Sequence, residues 1–235
     1  MKLVKLLANL GYGSRREIQI YLKRGMVTDL DGRKLTERDF PPHDQILFSG
    51  EPLDPVSPLT ILLNKPDGYT CSSEDPGATV YDLLPERFAF RKPPLSPVGR
   101  LDKDTTGMLL MTDVGTLLHR IIHPKSKLGK VYHAILDRPL EGHEGELFAS
   151  GTLMLRSEDK PLLPAGLEII SDKEALLTLH EGRYHQARRM FAAAGNHVLS
   201  LKRISIGGLK LPDDLTEGEW VRLGDGELAE LFGTP

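Results

Sequence analysis

The sequence predicts an α+β protein in two parts, a small N-terminal unit of two helices and a few strands followed by a larger domain built on a mixed, largely antiparallel sheet. Three observations point there. Leucines in the first ten residues repeat at helical spacing, a run of prolines follows residue 50, and beyond Thr60 apolar strand segments alternate with short helical ones.

In the first unit Leu3, Leu6, Leu7 and Leu10 follow the i, i+3, i+4, i+7 spacing of one apolar face, and Gly11 and Gly13 end the helix. A second helix starts at Ser14, where Glu17 three positions on completes a capping-box pattern; Ile18, Tyr21 and Leu22 make its buried stripe and Gly25 its stop. Arg15, Arg16, Lys23 and Arg24 stay off that stripe. Residues 27–30 and 33–35 flank Asp31-Gly32, a dipeptide suited to a tight hairpin, and residues 45–48 form another strand candidate. Pro52, Pro55 and Pro58 exclude a central strand or a helix interior, so residues 51–59 read as a linker and residues 1–55 as the first domain.

Residues 60–235 read as the second domain. Strands are expected at 60–65, 108–112, 130–136, 167–170, 175–179 and 198–206, and helices at 79–84, 115–122, 144–149, 186–194 and 227–232. There is no internal repeat, low-complexity tract or glycine-rich phosphate loop.

A net charge of −3 argues on its face against a polyanionic partner, but the charge is segregated. Residues 1–38 hold nine Lys/Arg against four Asp/Glu, residues 91–134 eight against three, and residues 180–210 six against one. The other 122 residues carry −18, and a polyanion responds to the local field more than to the total. No apolar run approaches the roughly 20 residues of a membrane helix, and the leucine-rich start contains Lys2 and Lys5. With a single cysteine, Cys71, the expectation is a soluble cytoplasmic monomer with no secretory signal, no membrane association and no internal disulfide.

The segment Gly99-Arg100-Leu101-Asp102-Lys103-Asp104-Thr105-Thr106-Gly107 crowds charges and turn formers ahead of an apolar strand. Leu101 anchors such a loop while Arg100 and Asp102 face outward. Read alone, this is a polar turn with internal ion pairs. Three further segments accompany it: Asn64-Lys65-Pro66-Asp67-Gly68, Lys130-Val131-Tyr132, and Glu181-Gly182-Arg183-Tyr184-His185-Gln186-Ala187-Arg188-Arg189-Met190. In this order and spacing the four segments resemble the motifs of the RNA pseudouridine synthases. The stretch from Ser14 through Gly25-Met26-Val27 to Asp31-Gly32 resembles the S4-type RNA-binding domain. Together the chain is similar to the branch that modifies ribosomal RNA, the RsuA family, and within it to the enzymes acting on small-subunit 16S RNA.

That resemblance implies a pseudouridine synthase catalytic domain behind an S4-like RNA-binding domain. It implies isomerisation of a uridine in ribosomal RNA, free or in an assembling small subunit: the N1–C1′ bond breaks, the uracil turns in its pocket, and C5 joins C1′, with no cofactor and no metal. Asp102 matches the essential aspartate, which either attacks C1′ or abstracts the 2′ proton. Arg188 matches the basic residue that pairs with it, and Tyr132 the ring that stacks on the target uracil. Arg100 matches the residue that fills the gap left by the extruded base. Lys65, Arg183, Arg189, Arg15 and Arg16 are the remaining candidate RNA contacts. Burial alone raises a carboxylate's pKa, so an ionised Asp102 requires a neighbouring cation, and Arg188, beside the apolar stripe Ala187, Met190, Phe191 and Ala194, is the candidate.

Two competing readings keep most of these features. One is a synthase acting on large-subunit 23S RNA. The other is a non-catalytic S4-type ribosome-assembly protein, which predicts loss of Asp102, Tyr132 or Arg188, yet all three positions are filled. The start Lys2-Leu3-Val4 departs from the Arg-Leu-Asp of many relatives, and residues 123–129 are where branches are expected to differ. His119 and His123 stand at i and i+4, but Pro124 follows at once and no third ligand is apparent.

Overall fold

The computed structural model describes residues 2–72, 76–123, 126 and 128–233. They form two compact units. The first comprises residues 1–60 with 81–96 and 112–115, the second residues 61–80, 97–111 and 116–235.

In the first unit, helix α1 (Leu3–Leu10) buries Leu3, Leu6, Leu7 and Leu10, the four positions of its leucine stripe. It ends on Gly11 at φ +90°, where a side chain would collide with the Arg87 carbonyl. Helix α2 (Arg15–Arg24) opens with the expected capping box, Ser14 Oγ accepting the Glu17 N–H and Glu17 accepting the Ser14 N–H, and closes on Gly25 in the left-handed region. Strands β1 (Val27–Asp29), β2 (Ile46–Phe48) and β3 (Glu51–Pro52) form a three-stranded antiparallel sheet. Residues 33–35 make only one bridge to this sheet, Lys34 against Thr28.

Residues 51–59 are packed into this unit. Proline is excluded from a central strand but not from an edge, and β3 is an edge strand. Leu53 joins the core of Leu6, Leu22 and Ile46. Asp54 accepts two hydrogen bonds from the Arg87 guanidinium, the longer at 2.8 Å. Arg91, buried, donates to the Pro55 carbonyl (2.8 Å), and Asp113 accepts the Leu59 N–H (2.8 Å).

The second unit is built on a nine-stranded mixed sheet. Its strands are β4 (Thr60–Lys65), β5 (Ser96–Val98), β6 (Thr105–Thr112), β7 (Lys130–Leu136), β8 (Gly166–Ser171), β9 (Glu174–Leu179), β10 (Val198–Ile206), β11 (Leu209–Lys210) and β12 (Trp220–Arg222). The spatial order is β12-β4-β6-β10-β7-β9-β8, with β5 on β6 and β11 on β10. Strand β10 runs parallel to β6 and antiparallel to β7. Helices α3 (Gly115–Ile122), α4 (Glu144–Ala149), α5 (Gln186–Ala193) and α6 (Asp225–Glu230) complete it. Phe148 of α4 and Phe191 of α5 meet edge to face, 5.3 Å between centroids, over Ala134, Leu177 and Leu201.

Departures from the expected elements have local causes. Residues 79–84 form a short 3₁₀ turn (Val80–Leu83) rather than a helix because Pro85 ends it, and a second such turn (Glu86–Phe90) follows. Strand β6 starts at Thr105, three residues earlier than its apolar run, since Thr105 and Thr106 are β-branched and pair with Leu201 and Lys202. Helix α6 begins at Asp225 because Gly224 and Glu227 cap it there. The short strands β5, β11 and β12 carry too few residues to show alternation.

Gly107 marks a close crossing of two strands in the sheet. It sits in β6 opposite Arg203 of β10 with φ +94°, and a Cβ there would strike the Arg203 backbone. Gly107→Ala combines a disfavoured backbone conformation with overpacking, together about 3 kcal/mol, and should lower the Tm by roughly 6–12 °C in thermal unfolding. A Tm within 1–2 °C of wild type would show that β6 and β10 are not in this close register.

Candidate active site

The loop between β5 and β6 is held from beneath. Lys65, at the end of β4 and wholly buried, donates to the carbonyls of Pro66 (3.0 Å), Lys103 (3.0 Å) and Thr105 (2.9 Å). Three acceptors match the three N–H groups of an ammonium. Burial pushes the Lys65 pKa down, while Cys71, Asp67, Asp104 and Asp102 push it back. The Gly68 N–H also donates to the Lys103 carbonyl (3.0 Å), and the Leu101 N–H to Cys71 Sγ (3.4 Å). Burial raises the Cys71 thiol above its ordinary range, so it is a packing group and not an activated nucleophile.

With Leu101 turned in and buried, Asp102 is presented to a cleft of about 250 Å³. Arg100, Lys130, Tyr132, Arg183, Tyr184 and Arg203 line the same cleft. Desolvation raises the Asp102 pKa, and Asp104 adds to this, while His185, Arg188 and Lys65 oppose it. His185 Nε2 lies 3.5 Å from Asp102 Oδ1.

Arg188 does not contact Asp102. Its guanidinium pairs with the Asp104 carboxylate (2.9 Å) and donates to the carbonyls of Asp104 (3.0 Å) and Val198 (2.9 Å). The expected direct pair is replaced because Asp104, two residues along the loop, reaches the guanidinium first. Arg188 acts on Asp102 through its charge.

Tyr132 is half-buried on the face of β7 that points toward α5, opposite Arg203 in β10. Arg203 is 1% exposed. Its guanidinium donates to the Met108 carbonyl (2.8 Å), the Gly99 carbonyl (3.0 Å) and the Tyr132 hydroxyl (3.5 Å). Sequence reasoning missed this residue, although an arginine at an inward position of a strand, between Leu201 and Ser205, signals it. It missed Lys130 too, whose pKa is lowered first by burial and then by Arg203.

The other expected contacts divide. Arg100 lines the cleft. Lys65 lies under the loop and not on a surface, because the loop carbonyls need its protons. Arg183 lines the cleft but is bound to Glu181 (3.0 Å), Glu158 (3.1 Å) and two carbonyls of residues 160–161. Arg189 likewise pairs with Glu158 (2.8 Å) and donates to the Arg156 and Tyr184 carbonyls. These two arginines fasten the segment 156–161 beside the cleft and are not free for phosphate. In the first unit Arg15 lines a groove of about 990 Å³ with Lys2, Lys5, Lys23 and Arg38, and Arg16 is exposed. Val4 lines that groove as well.

Among the described residues no cluster of three His, Cys, Asp or Glu suits a metal ion, and no helix is long and apolar enough to cross a membrane. Of the segment 123–129, Pro124, Lys125 and Lys127 lie outside the described residues.

A carboxylate in a desolvated cleft, an aromatic ring beside it and cations around both suit work on an uncharged flat base attached to a polyanion. The family model for RNA pseudouridylate synthase matches residues 59–193. The ribosomal small subunit pseudouridine synthase A of Escherichia coli K12 is 42% identical over 213 residues, covering 88% of this chain and 90% of that protein. Its counterpart from Vibrio cholerae is 40% identical over 239 residues, covering 99% and 100%. A crystal structure of a pseudouridylate synthase superposes with a TM-score of 0.70 at 36% identity, covering 98% of this chain and 99% of that one. With the family model matching more than half of its length and relatives at least 40% identical over most of it, the chain belongs to the RNA pseudouridylate synthase family.

Proposed function

We propose that this protein isomerises one uridine of small-subunit 16S ribosomal RNA to pseudouridine, with Asp102 as the reacting carboxylate. The observation that carries the chemistry is the placement of Asp102 on a clamped loop, in a cleft shared with Tyr132 and Arg203. Whether the carboxylate attacks C1′ or takes the 2′ proton, it must be ionised, and His185, Arg188 and Lys65 offset the burial that opposes ionisation. Tyr132 stacks on the extruded uracil, its hydroxyl held by Arg203. Arg100 fills the vacated place in the RNA. The names of the similar proteins, each a small-subunit enzyme, support the 16S assignment over 23S. Residues 1–55 act as an S4-like RNA-binding domain in this reading, gripping phosphates through Arg15, Arg16 and the lysines of the basic groove.

The target is tested by mapping pseudouridine in ribosomal RNA from cells lacking the protein and after complementation. One 16S site should vanish and return. Loss of a 23S site instead would overturn the assignment.

Asp102→Asn preserves shape and should bind RNA while product formation falls by at least about four orders of magnitude at every pH. Arg188→Ala removes a cation that lowers the Asp102 pKa. Activity requires the ionised form, so it is lost as pH falls through that pKa, and the acid limb should move to higher pH in this variant. Arg189→Ala, which loosens residues 156–158, should leave that limb in place. Rate–pH profiles of the three variants decide this, and an unmoved limb in Arg188→Ala refutes the electrostatic role.

Tyr132→Phe keeps the buried ring, so the Tm and RNA affinity should be nearly unchanged while turnover drops about 100-fold or more. Full turnover would make the hydroxyl a bystander.

The groove is tested with Arg15→Gln and Lys23→Gln together. RNA affinity should weaken, and the slope of log K against log salt should become shallower by about 0.7–0.9 for each phosphate the protein no longer neutralises. An unchanged slope would count against a phosphate-gripping role.

A further inference from the structure

We propose that the stacked rings of Tyr184 and His185 are a platform for an unpaired RNA base beside the target uridine. The inference rests on the reading of the cleft as an RNA site and adds a subsite to it. Tyr184 is 74% exposed, so burial gives it almost no role in holding the fold together. Yet its ring is ordered against a neighbour, lying on the His185 imidazole with centroids 3.9 Å apart and planes 16° from parallel. It lines the cleft that holds Asp102 and Tyr132.

Backbone geometry builds this arrangement. His185 takes φ +48° and ψ +35°, a left-handed conformation uncommon for a residue with a side chain. That turn sets the two rings side by side immediately before α5. The Tyr184 carbonyl accepts a hydrogen bond from Arg189 (3.1 Å), whose guanidinium is fixed in turn by Glu158 and the Arg156 carbonyl. The stack is therefore preorganised, and a ligand meets it without the entropic cost of ordering a loop.

The chemistry of the exposed ring selects the occupant. A planar π surface takes another planar π surface, and every nucleobase offers one. Tyr132 is half-buried against Arg203 on the sheet, while Tyr184 stands exposed at the rim, so the two aromatics serve two levels of one cleft. The extruded uracil reaches the inner ring. The base next to it in the strand meets the outer one.

The test uses the full chain and a labelled 16S fragment carrying the target uridine, with dissociation constants, kcat and Tm measured for Tyr184→Phe and Tyr184→Ala. The Phe variant should match wild type within about twofold. The Ala variant should bind about 5- to 150-fold more weakly, the range for one stacked base, with kcat within a few-fold and the Tm unchanged. Fragments with an abasic site at the nucleotide before or after the uridine then complete a double-mutant cycle. At one of the two positions the abasic site should weaken wild-type binding by the same factor and weaken the Ala variant no further. Wild-type affinity in Tyr184→Ala, or losses that simply multiply at both positions, would overturn the platform. Wild-type protein that binds the fragment without forming pseudouridine would instead overturn the target assignment, with the binding cycle still deciding the platform.

Discussion

The site depends on two buried cations that have no carboxylate among their hydrogen-bond partners. Lys65 gives its protons to three carbonyls, and Arg203 to two carbonyls and a phenol. Carbonyl dipoles satisfy the donors without cancelling the charge. A carboxylate in their place would have formed a neutral pair and removed the field. The fold therefore commits these donors to the backbone around one loop, and the Lys65 charge also bears on the carboxylate that loop presents. Lys65 connects the first motif to the loop, and Arg203 connects Gly99 at the loop's start to Met108 in the strand after it and to Tyr132 across the sheet.

This arrangement explains why a glycine stands at the crossing of β6 and β10. Arg203 can reach both sides of the loop only if its own backbone comes close to β6, and Gly107 supplies the missing Cβ that allows it. Bulk at that position strains the crossing that carries Arg203. The Thr-Thr-Gly that follows the charged loop thus helps to place Arg203 beside Tyr132, although its glycine brings no side chain to the cleft.

Periodic features were legible in the sequence. The leucine stripe of α1, the Ser14–Glu17 capping box, and strands β4, β7 and β10 appear with the bounds their patterns predict, because the helical features are set by interactions a few residues apart and the strands by short segments rich in apolar and β-branched residues. The four motifs marked the loop, Tyr132 and the helix α5. What could not be read was which cation meets which anion. Arg188 and Arg189 are neighbours in sequence, and helical position shows only that one faces inward. That Asp104 captures Arg188, and that Glu158 captures both Arg183 and Arg189, depends on where the loop and residues 156–161 come to lie. Arg203 escaped for a different reason, since charge on a strand reads as an exposed face unless the strand's inward phase is followed residue by residue.

The same limit applies to charge counts. Each of three segments nets positive, which suggested a local field suited to a polyanion despite the overall −3. In residues 180–210 most of those cations are committed internally: Arg183 and Arg189 to Glu158, Arg188 to Asp104, and Arg203, its charge uncancelled, to two carbonyls and Tyr132. In residues 1–38 the balance differs. Arg33 is committed to Asp29 and Asp39, whereas Lys2, Lys5, Arg15, Lys23 and Arg38 line one groove with a single glutamate, Glu37. Cations that shape a catalytic cleft must be fixed, because a shift of an ångström changes the field on the carboxylate, and fixing them takes partners. Cations that grip a backbone of repeating phosphates gain from staying free, since each releases a counterion only if it is not already neutralised. Equal net charge in the two segments thus corresponds to two different arrangements, cations fixed by internal partners in one and cations gathered along an open groove in the other.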